Sequence, residues 1–311
     1  MKNYSVKERE CEAAFRSCGP YWHAYTSGKD TPILFVSDDD LTFAMNVIAQ
    51  ATHMFKPVYA PDGSLTAGVL IIAFEVMNNH FHFVGAGTRK SFLDFFAYIR
   101  RRLSRAIPAI RNVELILKQI IDLRSLRNNI VYTHRNGYVA NENHTPFSYP
   151  WGTGSDYYFN WPVMKRYADL YLGPRRIMFK GRAPELPEEW AIRDGYISPA
   201  AFCAIRFGMA MFRDAHHYFN AISRQVESYG EIAIEVDDDS EFLTDAELFT
   251  KVTYIVRERY KLAGIHELSK AQKQDIARKL HYDYRSSNGQ IRRTLGLSQY
   301  EIDALFPLCA K

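Results

Sequence analysis

The stretch that most constrains this chain is Val69 to Met77, a run of β-branched and apolar residues, followed by Asn78-Asn79 and then by His80 to Gly85. An apolar run of that kind, bounded by turn residues, reads as a buried strand. Asn tolerates φ > 0, so the Asn pair makes a tight turn and His80–Gly85 returns as the second strand of a hairpin. A buried hairpin needs layers packed on it, and its flanks supply them. Tyr21 to Thr26 alternates and is rich in aromatics, which predicts a strand. Behind Asp38-Asp39-Asp40, Phe43, Val47, Ala51 and Phe55 recur every four residues, which predicts a helix with acids where its dipole favours them. Ser91 to Ala106 predicts another helix. Its apolar face carries Phe92, Phe95, Phe96, Ile99 and Leu103, and its polar face Arg100, Arg101, Arg102 and Arg105. Leu115–Ile121 reads as a further strand and Arg124–Arg135 as a helix ended by Asn136-Gly137.

Strand, helix, hairpin, helix, strand, helix is the α+β, ferredoxin-like pattern: a four-stranded antiparallel sheet with two helices on one face. Residues 1–20 read as a polar lead-in. After Thr145–Trp151 strand signals thin out. Ala200–Val226 and Asp245–Leu262 read as helical, so a mostly α-helical extension over 156–311 follows a domain over 1–155. Four Ser/Thr-x-x-Glu/Gln helix starts recur in the C-terminal part: Thr244 with Glu247, Ser269 with Gln272, Ser287 with Gln290, and Ser298 with Glu301. The segment near 270–306 fits a compact trihelical unit. Its last two helices resemble a DNA-binding helix-turn-helix, and a plain helical hairpin fits them equally well.

Composition narrows the class. Of 311 residues, 47% are hydrophobic and 24% charged, which excludes disorder or low complexity as a description of the whole chain. The longest apolar run, Ala67–Val76, contains Glu75 and is far short of the roughly 20 residues of a membrane span. The start of the chain has no apolar signal core, and the four cysteines form no Cys-x-x-Cys pair, so a reduced cytoplasmic protein is expected. Charge is concentrated. Between Val84 and Arg135 there are 11 basic residues against 3 acidic, the footprint of a polyanion-binding surface. Glu231–Thr250 holds 8 acids and no base, and reads as a solvated linker.

Three features carry chemistry. In His80-Phe81-His82 the two imidazoles, two apart on a strand, share one face and make half of a divalent metal site, with Phe81 on the other face. Two half-buried structural histidines are the plain alternative. Tyr132 and Asn136, four apart on a helix, share a face. A tyrosine beside a metal can attack a phosphodiester, whereas a packed tyrosine with an Asn near a helix end is the plain alternative. Trp151, Tyr157, Tyr158, Phe159 and Trp161 can stack on unpaired bases or pack one part of the chain on another.

Met77-Asn78-Asn79-His80-Phe81-His82, with Tyr132-Thr133-His134-Arg135-Asn136 and Tyr149-Pro150-Trp151-Gly152 after it, resembles the HUH single-tyrosine transposases. It is most similar to the REP-associated tyrosine transposases of bacteria. Tyr21–Thr26 and Ile33-Leu34-Phe35 match that family's first strand and helix start, and the likeness spans roughly residues 20–155. Asn78 and Gly137 stand where the family has Pro. The resemblance implies an HUH endonuclease domain in which His80 and His82 bind Mg²⁺ or Mn²⁺. Asn136 stands at the third-ligand position, and Tyr132 is the nucleophile that cuts single-stranded DNA and keeps its 5′ phosphate. The implied partner is single-stranded DNA with hairpin structure, engaged by a monomer or homodimer, with Arg100, Arg101, Arg102 and Arg105 on the phosphate backbone. A non-catalytic, sequence-specific DNA-binding protein derived from a transposase is the alternative. A replication initiator or relaxase would carry further tyrosines or a third His, and an unrelated zinc hydrolase would be indifferent to Tyr132. His134 is expected to face away from the site, and His23 and Glu75 are expected at its margin at most.

Overall fold

The computed structural model describes residues 2–28, 31–140, 144–222, 245–282, 286 and 288–306. Most of the acidic run Glu231–Thr250, and the helix starts Thr244 and Ser287, lie outside the described residues. Among the described residues, 2–222 belong to one compact unit and 245–306 to a second.

The first unit is built on four antiparallel strands: β1 (Tyr21–Tyr25), β2 (Val69–Val76), β3 (Phe81–Gly87) and β4 (Ile116–Ile120). They lie in the order β2-β3-β1-β4, with Tyr25 opposite both His82 and Ile116. The hairpin closes through the Met77 N–H on the His80 carbonyl. The helix α2 (Asp38–Met54) starts where the acids predict, with the Ser37 hydroxyl accepting from the Asp40 N–H. Thr88 caps α3 (Arg89–Leu103) in the same way. Alternation along the strands divides the core in two. Phe81 and Phe83 point with Ala24, Ile71 and Phe74 into a cluster shared with Phe43, Val47, Phe92 and Phe95 of α2 and α3. Val84 and Ala86 point the other way, with Tyr21, Ala73 and Ile120, onto Leu126, Ile130 and Val131 of α4 (Leu123–Ala140). The sheet is therefore a middle layer with α2 and α3 on one side and α4 on the other.

The structure departs from the sequence reading at several places. The polar lead-in is a helix, α1 (Lys2–Arg16), because Cys11 and Phe15 recur on one face and pack in the α4-side cluster. Glu8 clamps it there, with both carboxylate oxygens on Arg127 at 2.6 and 3.2 Å and one on Arg213 at 3.3 Å. Helix α4 does not stop at Asn136-Gly137 but runs to Ala140. A Cβ on Gly137 would lie 2.3 Å from the Tyr149 ring, so a side chain there would block the packing that holds this turn. The boundary expected after residue 155 falls inside the first unit, since Tyr157, Ile205, Met211, Tyr218 and Ile222 complete the α4-side core. Residues 156–222 also hold a small three-stranded sheet: Lys165–Arg166, Ala191–Arg193 and Tyr196–Ile197. Asn46 of α2 ties this region down, donating to the carbonyls of Met178 and Gly195 and accepting from the Ile197 N–H.

The second unit packs Asp245–Ile255, Lys270–Tyr282, Asn288–Leu295 and Gln299–Leu305 around Leu248, Val252, Ile276, Leu280, Ile291, Leu295 and Ile302. Two of the expected capping boxes are formed, Ser269 with Gln272 and Ser298 with Glu301. No helix among the described residues is long and apolar enough to cross a membrane.

Candidate functional site

The hairpin turn sets the first imidazole. Asn79 spends both amide hydrogens on the carbonyls of Gly28 and Thr31, at 2.9 and 3.0 Å, which turns its Oδ1 toward Nδ1 of His80, 2.7 Å away. A carboxamide oxygen only accepts, so His80 carries its proton on Nδ1. His82 follows on β3, its ring centroid 4.8 Å from that of His80 at a steep angle. The expected pairing of the two imidazoles is present, with Phe81 in the opposite core.

Strand β1 contributes a third imidazole. His23 Nε2 lies 3.1 Å from His82 Nδ1. Its ring is wholly buried, and burial, reinforced by His82 and Lys118, holds its pKa well below the usual histidine range. Helix α4 closes the group from above. The Tyr132 ring centroid is 5.6 Å from that of His82 and 6.1 Å from that of His23, edge-on to both. His23, His80, His82 and Tyr132 are all at 0% exposure.

One turn beyond Tyr132, Asn136 is buried, and its Nδ2 has no hydrogen-bond partner among the described residues. The next residue, Gly137, donates its N–H to Glu75 Oε2 at 2.6 Å. A proline here, as in the family pattern, would have no hydrogen to give. Glu75 sits opposite His82 on β2, wholly buried, with Oε1 unpartnered among the described residues. Burial raises its pKa well above the usual carboxylate range, against the pull of the Gly137 N–H. Glu75 is thus a neutral carboxyl under the end of the tyrosine helix, on the same sheet face as His82.

The Tyr149–Thr153 segment covers the outer edge of β2. The Val76 N–H donates to the Trp151 carbonyl, the Thr153 N–H donates to the Phe74 carbonyl, and Tyr149 Oη donates to the Val76 carbonyl at 2.7 Å. An edge strand left open would be a pairing hazard, and this strap removes it. His134 faces away from Tyr132, as expected. Its two ring nitrogens lie 2.8 Å from Tyr218 Oη and Thr153 Oγ1, so it bolts α4 to the strap.

Arg100, Arg101, Arg102 and Arg105 belong to α3 and the turn after it, in the layer across the sheet from Tyr132. The strand directions put the C-terminal end of α3 at the Tyr25–His82 end of the sheet. Arg100 donates to the Val113 carbonyl at 3.0 Å, and Arg101 lies over the Tyr98 ring. Together with Arg111, Arg100 and Arg101 line a groove of about 540 Å³. Of the aromatic series, Tyr157 and Trp151 are packed, whereas Phe159 and Trp161 are exposed. Trp161 and Arg193 line a larger groove of about 960 Å³ that includes none of the histidines and not Tyr132.

Sequence reasoning left His23 at the margin, yet the structure puts it in direct contact with His82. The available signal was its parity with Tyr21 and Tyr25 on an alternating strand. Among the described residues no three His, Cys, Asp or Glu side chains converge as a metal-binding group. The expected donor set, two imidazoles and an amide, is of another kind, and its two imidazoles do adjoin. No protein family, curated protein or solved structure matches the chain.

Proposed function

We propose that this chain is a metal-dependent single-stranded DNA endonuclease and strand transferase of the HUH single-tyrosine type. The observation that carries the reading is the meeting of Tyr132 of α4 with the His80–His82 pair, from distant parts of the sequence. The strand order β2-β3-β1-β4 with α2 and α3 on one face supports the ferredoxin-like arrangement, since it is that of a split βαβ fold.

In this reading His80 and His82 hold Mg²⁺ or Mn²⁺, with Asn136 as the added oxygen donor. The donor set fits: His80 presents Nε2 as its lone-pair nitrogen, and the amide of Asn136 is buried and incompletely bonded. When bound, the ion polarises the scissile phosphate and offsets the charge that develops on it. Tyr132 Oη forms the new bond to phosphorus while the bond to the 3′ oxygen breaks. Net, the phenolic proton ends on the departing 3′ hydroxyl. The phosphotyrosine conserves the bond energy, and attack by an incoming 3′ hydroxyl rejoins the strand. Arg100, Arg101, Arg102 and Arg105 bind the flanking backbone of a hairpin-bearing end. Because Tyr132 is at 0% exposure, the reaction includes a step that uncovers it.

That same burial favours a second reading, a DNA-binding protein without catalysis. One experiment separates the two. The protein is mixed with a labelled hairpin-bearing single-stranded DNA library and Mg²⁺ or Mn²⁺, then run on a denaturing gel beside Tyr132→Phe and His80→Ala. A DNA-linked band absent from both variants supports the nuclease. DNA retained on a native gel, with no adduct in any lane, sinks the nuclease and leaves the binding protein.

A further inference from the structure

The two imidazoles of the candidate metal pair are oriented by different partners, and the difference has a chemical consequence. His80 faces an amide oxygen, which accepts only, so its Nε2 lone pair is set before any ion arrives. His82 faces another imidazole. The His23 and His82 rings are coplanar to within 8°, and their centroid separation of 5.3 Å exceeds the 3.1 Å nitrogen separation by about two ring radii. The two nitrogens therefore meet head-on, as an N–H and a lone pair do, rather than converging on one ion as two ligands of it would. Either ring can be the donor.

His23 Nδ1 decides which. It is buried and has no hydrogen-bond partner among the described residues. If His82 donated, the single proton of a neutral His23 would sit on that atom as an orphaned buried N–H. If His23 donates from Nε2, only a lone pair is orphaned at Nδ1, the cheaper defect. In the metal-free protein His82 thus accepts at Nδ1 and carries its own proton on Nε2.

We propose that His23 is a positioning residue that holds His82 in the tautomer that withholds Nε2 from metal, so that loading the site requires a coupled proton shift through the His23–His82 pair. Resting on the metal-site reading above, it adds the residue that sets the site's affinity. The shift balances without net uptake of protons. His82 Nε2 gives up its proton, the bridging proton moves from His23 Nε2 to His82 Nδ1, and His23 regains one proton at Nδ1. Most metal-bound histidines give their second nitrogen to a carboxylate or carbonyl, which fixes the binding tautomer at no such cost.

The test compares the full chain with His23→Gln, whose amide oxygen reaches about where His23 Nε2 lies and accepts from His82 Nδ1–H without restriction. Imidazole ¹⁵N shifts are read in the metal-free proteins, and Mn²⁺ binding is followed by titration. The expected result is His80 protonated on Nδ1 in both proteins, and His82 protonated on Nε2 in the parent but on Nδ1 in the variant. Mn²⁺ should bind about tenfold tighter to the variant, the size of one relieved orphan N–H. His82 already protonated on Nδ1 in the parent, or unmoved in the variant, overturns the proposal. The expected tautomers with no Mn²⁺ bound by either protein uphold the His23 effect and overturn the metal reading instead.

Discussion

Acid should unfold the first unit through His134, by an amount that can be worked out. Its ring is fully buried between Tyr218 and Thr153, and burial lowers its pKa from 6.5 to about 3. The unfolded chain therefore takes up this proton as pH falls through about 6.5, while the folded chain refuses it until about pH 3. The folded state binds fewer protons in that window, so its stability is complete above the unfolded value and declines below it. Between pH 7 and pH 5 the loss is about 2 kcal/mol from this one group. His23, also buried with its pKa lowered, adds a loss of the same sign. His134→Gln removes the titration and keeps an amide able to reach one of the two hydroxyls. Its cost at pH 7 is about 1–3 kcal/mol for the missing bond. The assay is urea unfolding followed by tryptophan fluorescence, which reports the first unit alone because Trp22, Trp151, Trp161 and Trp190 all lie in it. His23 is common to both proteins, so the difference between their pH profiles isolates His134. The parent should lose about 2 kcal/mol more than the variant from pH 7 to pH 5. Parallel profiles would refute the claim that the ring is held neutral.

Two further perturbations test the strap and the arginine face. A Cβ on Gly152 would fall 2.4 Å from Glu75 Cγ and 2.8 Å from the Phe74 carbonyl oxygen, so Gly152→Ala should push the strap off the edge of β2. A stability loss of about 1–3 kcal/mol in the same urea assay is expected, and an unchanged midpoint would contradict the packing described. Replacing Arg100, Arg101, Arg102 and Arg105 together by Gln should weaken single-stranded DNA binding. It should also flatten the salt dependence by about 0.7 in logarithmic slope for each phosphate left without its cation. A weaker complex with an unchanged slope would mean that these side chains do not touch phosphate.

Much of the first unit was legible because local pattern and tertiary demand agree. The apolar run Val69–Val76, the Asn-Asn turn and the i, i+2 parity of His80 and His82 needed no partner to be read. The two faces of α3 are written as plainly, in Phe92, Phe95, Phe96, Ile99 and Leu103 against the arginines. Helix α1 was obscured because its charges outnumber the apolar residues that dock it. What docks it is Glu8, meeting Arg127 and Arg213 from far along the chain.

What the sequence alone determined is therefore the order of strands and helices, the face on which each histidine of the pair lies, and the one-turn spacing of Tyr132 and Asn136. These follow from periods of two and of 3.6 that any strand or helix imposes. Only the tertiary structure decided that α4 continues through Gly137, because the Tyr149 ring and the Glu75 carboxyl that receive that residue come from other elements. It alone put the arginines in the layer across the sheet from Tyr132, and it alone brought His23 to His82. A hydrogen bond between side chains 59 residues apart leaves no periodic trace, since it depends on which strands pair and in what register.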